Sequence, residues 1–145
     1  MIRTGGRSVA VLLLVASAAL AHQGVKNPAV KARMDVMSAI GDNTKLLGRM
    51  AKGEVAFDAG TARAAAAAIA GGAERTPILF AAREHDPVSE ARMNIWSNFE
   101  DFSLKSDALK EAAEAAQGIA SQSELRVALA EIGAACRSCH ADYRD

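Results

Sequence analysis

Near the C-terminus, Leu125, Leu129, Ile132, Cys136, Cys139 and Tyr143 recur at intervals of four, three, four, three and four residues. Such a series shares one face only on an α-helix. The last segment is therefore a helix with one seam to bury, and Ser121 or Ser123 caps its start. Ser121 and Glu124 match the capping-box spacing. The same seam carries the only two cysteines of the 145-residue chain, inside the run "CRSCH" at 136–140. The fold must seat a helix against a core while presenting two thiols and an imidazole at that helix's end.

The rest of the chain has the composition to supply that core from helices alone. Alanine and charged residues dominate, β-branched residues are few, and aromatics make up 4%, a bias that favours helix. The first helix opens at Asn27 as N-cap with Pro28 in the first turn, and ends near Lys52 with Gly53 as its cap. Val30, Arg33, Met34, Met37, Ile40, Thr44, Leu47 and Met50 form its inner face. Gly41 and Gly48 interrupt it weakly and admit close approach of a neighbour. Asp58 or Thr61 caps a second helix through "ARAAAAAIAGG", ending at Gly71 and Gly72. A longer connection punctuated by Pro77 and Pro87 leads to a third helix over 88–117, with a kink near 103–106. Ile95, Trp96, Phe99, Phe102, Leu104 and Leu109 give it the densest aromatic content in the protein, with Trp96, Phe99 and Phe102 read as bundle core rather than pocket lining. Four helices with mostly short links predict an all-α, antiparallel up-down-up-down bundle. In that topology Met37, the long second connection and His140 fall at the same end.

The N-terminus reads as an address rather than structure. Arg3 and Arg7 precede a short apolar run that closes on Ala19-Leu20-Ala21, an A-x-A-like cleavage site. The run is well short of the ~20 residues a spanning helix needs, so residues 1–21 are expected to be a cleaved signal peptide, leaving no membrane anchor. The mature domain is 22–145, exported to a periplasm. It keeps 15 basic against 17 acidic residues once Arg3 and Arg7 are removed, a balance without the basic footprint of a nucleic-acid binder. Cleavage would place a free amine beside the His22 imidazole, a pair able to chelate copper. No other copper ligand is evident, and a plain signal junction is the simpler reading. His85, between Glu84 and Asp86 in a loop, reads as solvated.

Three chemistries compete for CRSCH. A structural zinc site needs four ligands, usually from two paired clusters, and here there is one cluster plus a distant His85. A reactive dithiol draws a low pKa from a helix N-terminus, whereas this pair lies near a helix C-terminus, where the dipole has the opposite sign. Cys-x-x-Cys-His is the attachment signal for haem c. Cys136 and Cys139, one turn apart, reach two vinyl groups along one porphyrin edge, and His140 follows closely enough to place its imidazole on the iron. Haem attachment is the reading the motif supports, with one haem c per chain.

The order of elements resembles the cytochrome c′ family, including its cytochrome c-556 branch. The matching stretches are "ARMDVM" in the first helix, "MAKGEVAFDA" after it, "NIWSNFEDF" in the third and "CRSCHADYR" at the end. The resemblance implies a periplasmic haem-c bundle, often dimeric. It gives Cys136 and Cys139 the thioether positions and His140 the proximal iron ligand. It makes Arg144 the basic residue near the proximal face, and Arg33 the arginine that approaches a haem propionate; a solvated surface charge is the other reading of Arg33. Met37 falls where the family places the residue facing the open side of the iron. That residue is a bound methionine in the low-spin branch and an apolar or unbound side chain in five-coordinate members.

Two functions follow from these alternatives. With His140 and Met37 both on the iron, the protein is a one-electron carrier serving an unidentified redox protein. With Met37 merely packed above the iron, it is a nitric oxide or carbon monoxide binding module. No acid–base pair for an enzyme is evident, since Arg33 alone does not make a peroxidase-like site.

Overall fold

Asn27 begins the described fold as expected from its side chain. In the computed structural model, which describes residues 24–145, its Oδ1 accepts from the N–H groups of Ala29 and Val30 and starts helix α1, Pro28–Lys52. Gly53 ends α1 at φ 78°, in the left-handed region that glycine tolerates. The proposed signal segment 1–21 and His22 lie outside the described residues. Among those residues no helix is long and apolar enough to cross a membrane.

Helix α2 runs Ala59–Phe80 from an Asp58 cap, and so continues past the expected stop at Gly71 and Gly72 and through Pro77. Two packing facts explain the difference. A Cβ at Gly72 would come 2.6 Å from Ile40 Cγ1 of α1, so this glycine marks a close helix approach rather than a terminus. Pro77 has no N–H to offer the carbonyl of Ala73, four residues back, and Ser106 donates its hydroxyl to that carbonyl instead, at 2.9 Å. Gly41 and Gly48 do not play the part expected of them: a Cβ at either would meet open space.

The third helix differs more. Helix α3 spans Phe99–Ala115 and is unbroken across 103–106, while the expected first turns are a loop and a short 3-10 turn, Met93–Trp96. Ser103 keeps its hydroxyl on the Phe99 carbonyl within the helix, and Ser106 reaches across to α2. Residues 90–92 are extended because their backbone groups bond to the end of helix α4. Leu104, within α3, is 61% exposed. Helix α4, Gln122–Tyr143, starts at Ser121 with the capping box complete.

Each helix packs on its sequence neighbours and α1 also meets α4, giving the expected up-down-up-down bundle. The main core joins Leu47, Ile69, Leu125 and Ile132 to a set of buried alanines. A second cluster, Phe80, Ile95, Phe102 and Tyr143 with Trp96 and Phe99 against it, fills the end where α1 begins and α4 finishes. The expectation that Trp96, Phe99 and Phe102 are core rather than pocket lining is met in part: Trp96 and Phe99 pack half-buried against this cluster, whereas the buried Phe102 also lines the cavity described below.

Candidate functional site

At that end the helices part around a cavity of about 640 Å³, within the ~300–1,000 Å³ range of cofactor pockets. Arg33 and Met37 come from α1, and Cys136, Cys139, His140 and Arg144 from α4 and its cap; all six line this one space. The walls between them are largely apolar, formed by Ile40, Phe80, Ile95, Phe102 and Leu109. A second cleft, about 470 Å³ on the outside of α1 and α2, carries no thiol, imidazole or thioether.

The inner polar groups are already engaged. Thr76 Oγ1 donates to the Gly72 carbonyl at 2.9 Å, and Ser106 to Ala73 as above. With those hydroxyls turned to backbone carbonyls, the wall presents a surface suited to the flat apolar face of a macrocycle.

The thiol-bearing face of α4 is tied to α3 through Lys105. Its Nζ lies 3.2 Å from Ser138 Oγ, 3.0 Å from the Asp142 carboxylate and 3.9 Å from Asp101. Tyr143 closes the network by donating its hydroxyl to Asp101 at 2.6 Å, and this bond, with burial behind it, pushes the phenol up to about 12. Burial raises the Cys136 thiol and pushes Cys139 up to about 11, against the opposing pull of Lys105. A dithiol redox centre needs the reverse shift, so this environment argues against that rival. Among the described residues no three His, Cys, Asp or Glu side chains cluster to hold a metal. Burial, and then the Arg144 charge, lower the His140 pKa, with Glu90 partly opposing. A neutral imidazole is the form that binds a metal. Two thiols and an imidazole at the edge of a large apolar slot fit haem c.

Arg33 is not the solvated charge of the alternative reading. It is 2% exposed, stacked over Phe80 and Trp96 at 4.7 and 5.3 Å from their ring centres. Nε, Nη2 and Nη1 donate to the carbonyls of Leu79, Ala82 and Glu84 at 2.9, 2.5 and 2.8 Å. Helix α2 has no glycine cap, and this guanidinium takes over its end. Arg144 pairs with Glu90 at the cavity rim. His85 is exposed, as expected.

Sequence reasoning missed the loop residues. Asp86 is buried, with Oδ2 accepting from the N–H groups of Lys26 and Asn27 at 2.9 and 3.0 Å and Oδ1 from Val88 at 3.2 Å. Glu90 faces the cavity from the same loop. Neither lies on a periodic stripe, so hydrophobic pattern carried no signal for them. Only the Asp-Pro pair at 86–87 hinted at a turn.

Comparison with known proteins bears on the whole of this arrangement. Residues 28–144 match the family model for Cytochrome C′. The chain is 36% identical over 115 residues to a cytochrome c-556 of Agrobacterium tumefaciens (strain apple 185), covering 78% of this chain and 91% of that one. It is 33% identical over 117 residues to a cytochrome c′ of Rhodopseudomonas palustris, covering 77% and 78%. A solved structure of cytochrome c′ from Rhodopseudomonas palustris superposes with a TM-score of 0.75 at 29% identity, covering 83% of this chain and 98% of that one.

Proposed function

The chain belongs to the cytochrome c′ family of monohaem c-type cytochromes, and from that premise we propose that it is a one-electron carrier with His140 and Met37 as axial ligands of its haem iron. The haem supplies the Fe(III)/Fe(II) couple; the chain supplies its setting. The observation that carries the reading is that the Met37 and His140 side chains, from two different helices, line the same apolar cavity. Cys136 and Cys139 hold the group covalently, so it is retained in both oxidation states. His/Met ligation raises the reduction potential. Apolar walls from Ile40, Ile95, Phe102 and Leu109 would limit water around a bound haem and favour its less charged state, in the same direction. Arg33, with five N–H groups of which three serve carbonyls, has donors left to meet a propionate. The implied partners are a small redox protein and, following the resemblance, a second copy of the chain. Export to the periplasm rests on residues 1–21.

The test is the absorption spectrum of the holo-protein and of Met37→Ala. The expected parent spectrum is six-coordinate and low-spin, with a methionine–iron band that Met37→Ala removes, leaving a high-spin or ligand-accessible haem. A variant spectrum matching the parent would remove Met37 from the ligand set. A five-coordinate, high-spin parent would replace electron carriage with the gas-binding reading.

A further inference from the structure

The loop that precedes α3 grips the last turn of α4. The Arg92 N–H donates to the Tyr143 carbonyl at 3.0 Å and the Asp145 N–H to the Glu90 carbonyl at 2.9 Å, pairing Ala91 with Arg144 in a one-residue antiparallel bridge. The Arg92 side chain adds the Ala141 carbonyl at 3.0 Å and the Asp145 carboxylate at 2.9 Å, and Asn94 Nδ2 adds the Asp142 carbonyl at 3.1 Å. Those bonds serve carbonyls that a helix end leaves without partners. None of them uses the Glu90 side chain. Its Oε2 instead accepts from Arg144 Nε at 2.6 Å and lies 2.5 Å from Nη2. Both side chains line the cavity together with His140, and Arg144 follows His140 by one helical turn.

We infer that Glu90 is a positioning residue for Arg144, holding the guanidinium at the His140 side of the cavity and setting a negative charge against it. The inference rests on the proposed haem site with His140 on the iron. Ferric haem carries one more positive charge than ferrous, so a lone cation nearby favours reduction and a paired anion offsets it. With Glu90 in place, the proximal side of the site faces an ion pair and the arginine keeps its place without its full electrostatic effect.

Opposite shifts follow for the two partners. Glu90→Gln raises the midpoint potential of the holo-protein, Arg144→Gln lowers it, and the double variant returns close to the parent. Glu90→Asp, which keeps the charge, stays near the parent. The side chains are 53% and 58% exposed, so the shifts shrink as added salt shortens the Debye length from about 10 Å at 0.1 M. Spectroelectrochemical titration of the parent and the four variants as holo-proteins, with thermal melts to establish that each is folded, makes the test. A Glu90→Gln potential equal to the parent's, or moved in the same direction as Arg144→Gln, overturns the inference. So does a Glu90→Asp shift as large as that of Glu90→Gln. Failure of the haem reading would appear earlier and differently, as a parent spectrum without an imidazole-bound haem c.

Discussion

The two ends of this bundle are built from the same four helices by opposite means. At the closed end, Leu47, Ile69 and Leu125 interdigitate with Ala62, Ala65, Ala66 and Ala113, all nearly or fully buried. Small side chains let the helices approach, and the helix ends there are sealed by side-chain caps. Gln122 and Arg126 donate to carbonyls at the end of α1, and Arg63 donates to Ile119. At the open end the partners are rings and charges. Phe80 and Phe102 meet at a tilt with ring centres 5.0 Å apart and Phe102 meets Tyr143 edge to face at 5.4 Å, a buried arginine ends α2, and the 81–98 connection bonds to both α1 and α4. Bulk and hydrogen bonding there brace the helices around a cavity that alanine packing would have closed. The alanine-packed core and the cofactor site thus lie toward different ends of the bundle axis and meet at Ile40 and Leu109, which belong to the core and line the cavity; the second connection adds a further tie between the two helices that bear the proposed ligands.

That separation can be broken in three ways. Leu47→Ala is expected to cost about 2–5 kcal/mol through lost burial and a residual cavity, read by denaturant unfolding, with the haem spectrum unchanged. A spectral change would mean that the two ends are mechanically one. Arg33→Met leaves the end of α2 without its donors, and an orphaned carbonyl costs about 1–3 kcal/mol. A loss equal in apo- and holo-protein would confine Arg33 to capping, while a larger loss in the holo-protein would add the propionate contact. The smallest effect belongs to Asp86→Asn and depends on pH. The N–H groups of Asn27, Lys26 and then Val88 depress the Asp86 carboxyl below its usual range. A depressed carboxyl contributes stability above its unfolded value near 3.9, lost as pH falls through the folded value. The melting temperature of Asp86→Asn should therefore lie below the parent's at pH 7 and converge with it in acid. A gap that stays constant with pH would show that the bonds, not the charge, hold this loop.

Much of the site was legible before the fold. Cys136, Cys139 and His140 are a contiguous motif, and Met37 and Arg33 stand four apart on a stripe that periodicity alone identifies. Where reading failed, it failed at residues whose role is set by distant partners. Pro77 and Gly72 look like helix breakers until Ser106 and Ile40 are brought against them. Residues 88–98 look helical until the exposed carbonyls of α4 compete for their backbone. Periodicity put Arg33 on the inner face of α1, but nothing local showed that its guanidinium would serve the carbonyls at the end of α2.

Local spacing and propensity by themselves determined the four helices' existence, most of their caps, the thioether motif and the side of each helix that turns inward, because these depend on neighbours within a turn or two. The tertiary structure decided where α2 stops, how the 81–98 connection runs, and which charges stand beside His140. Those choices are made by hydrogen bonds between residues about fifty positions apart, Arg33 with Glu84 and Glu90 with Arg144, and no local pattern encodes such partners.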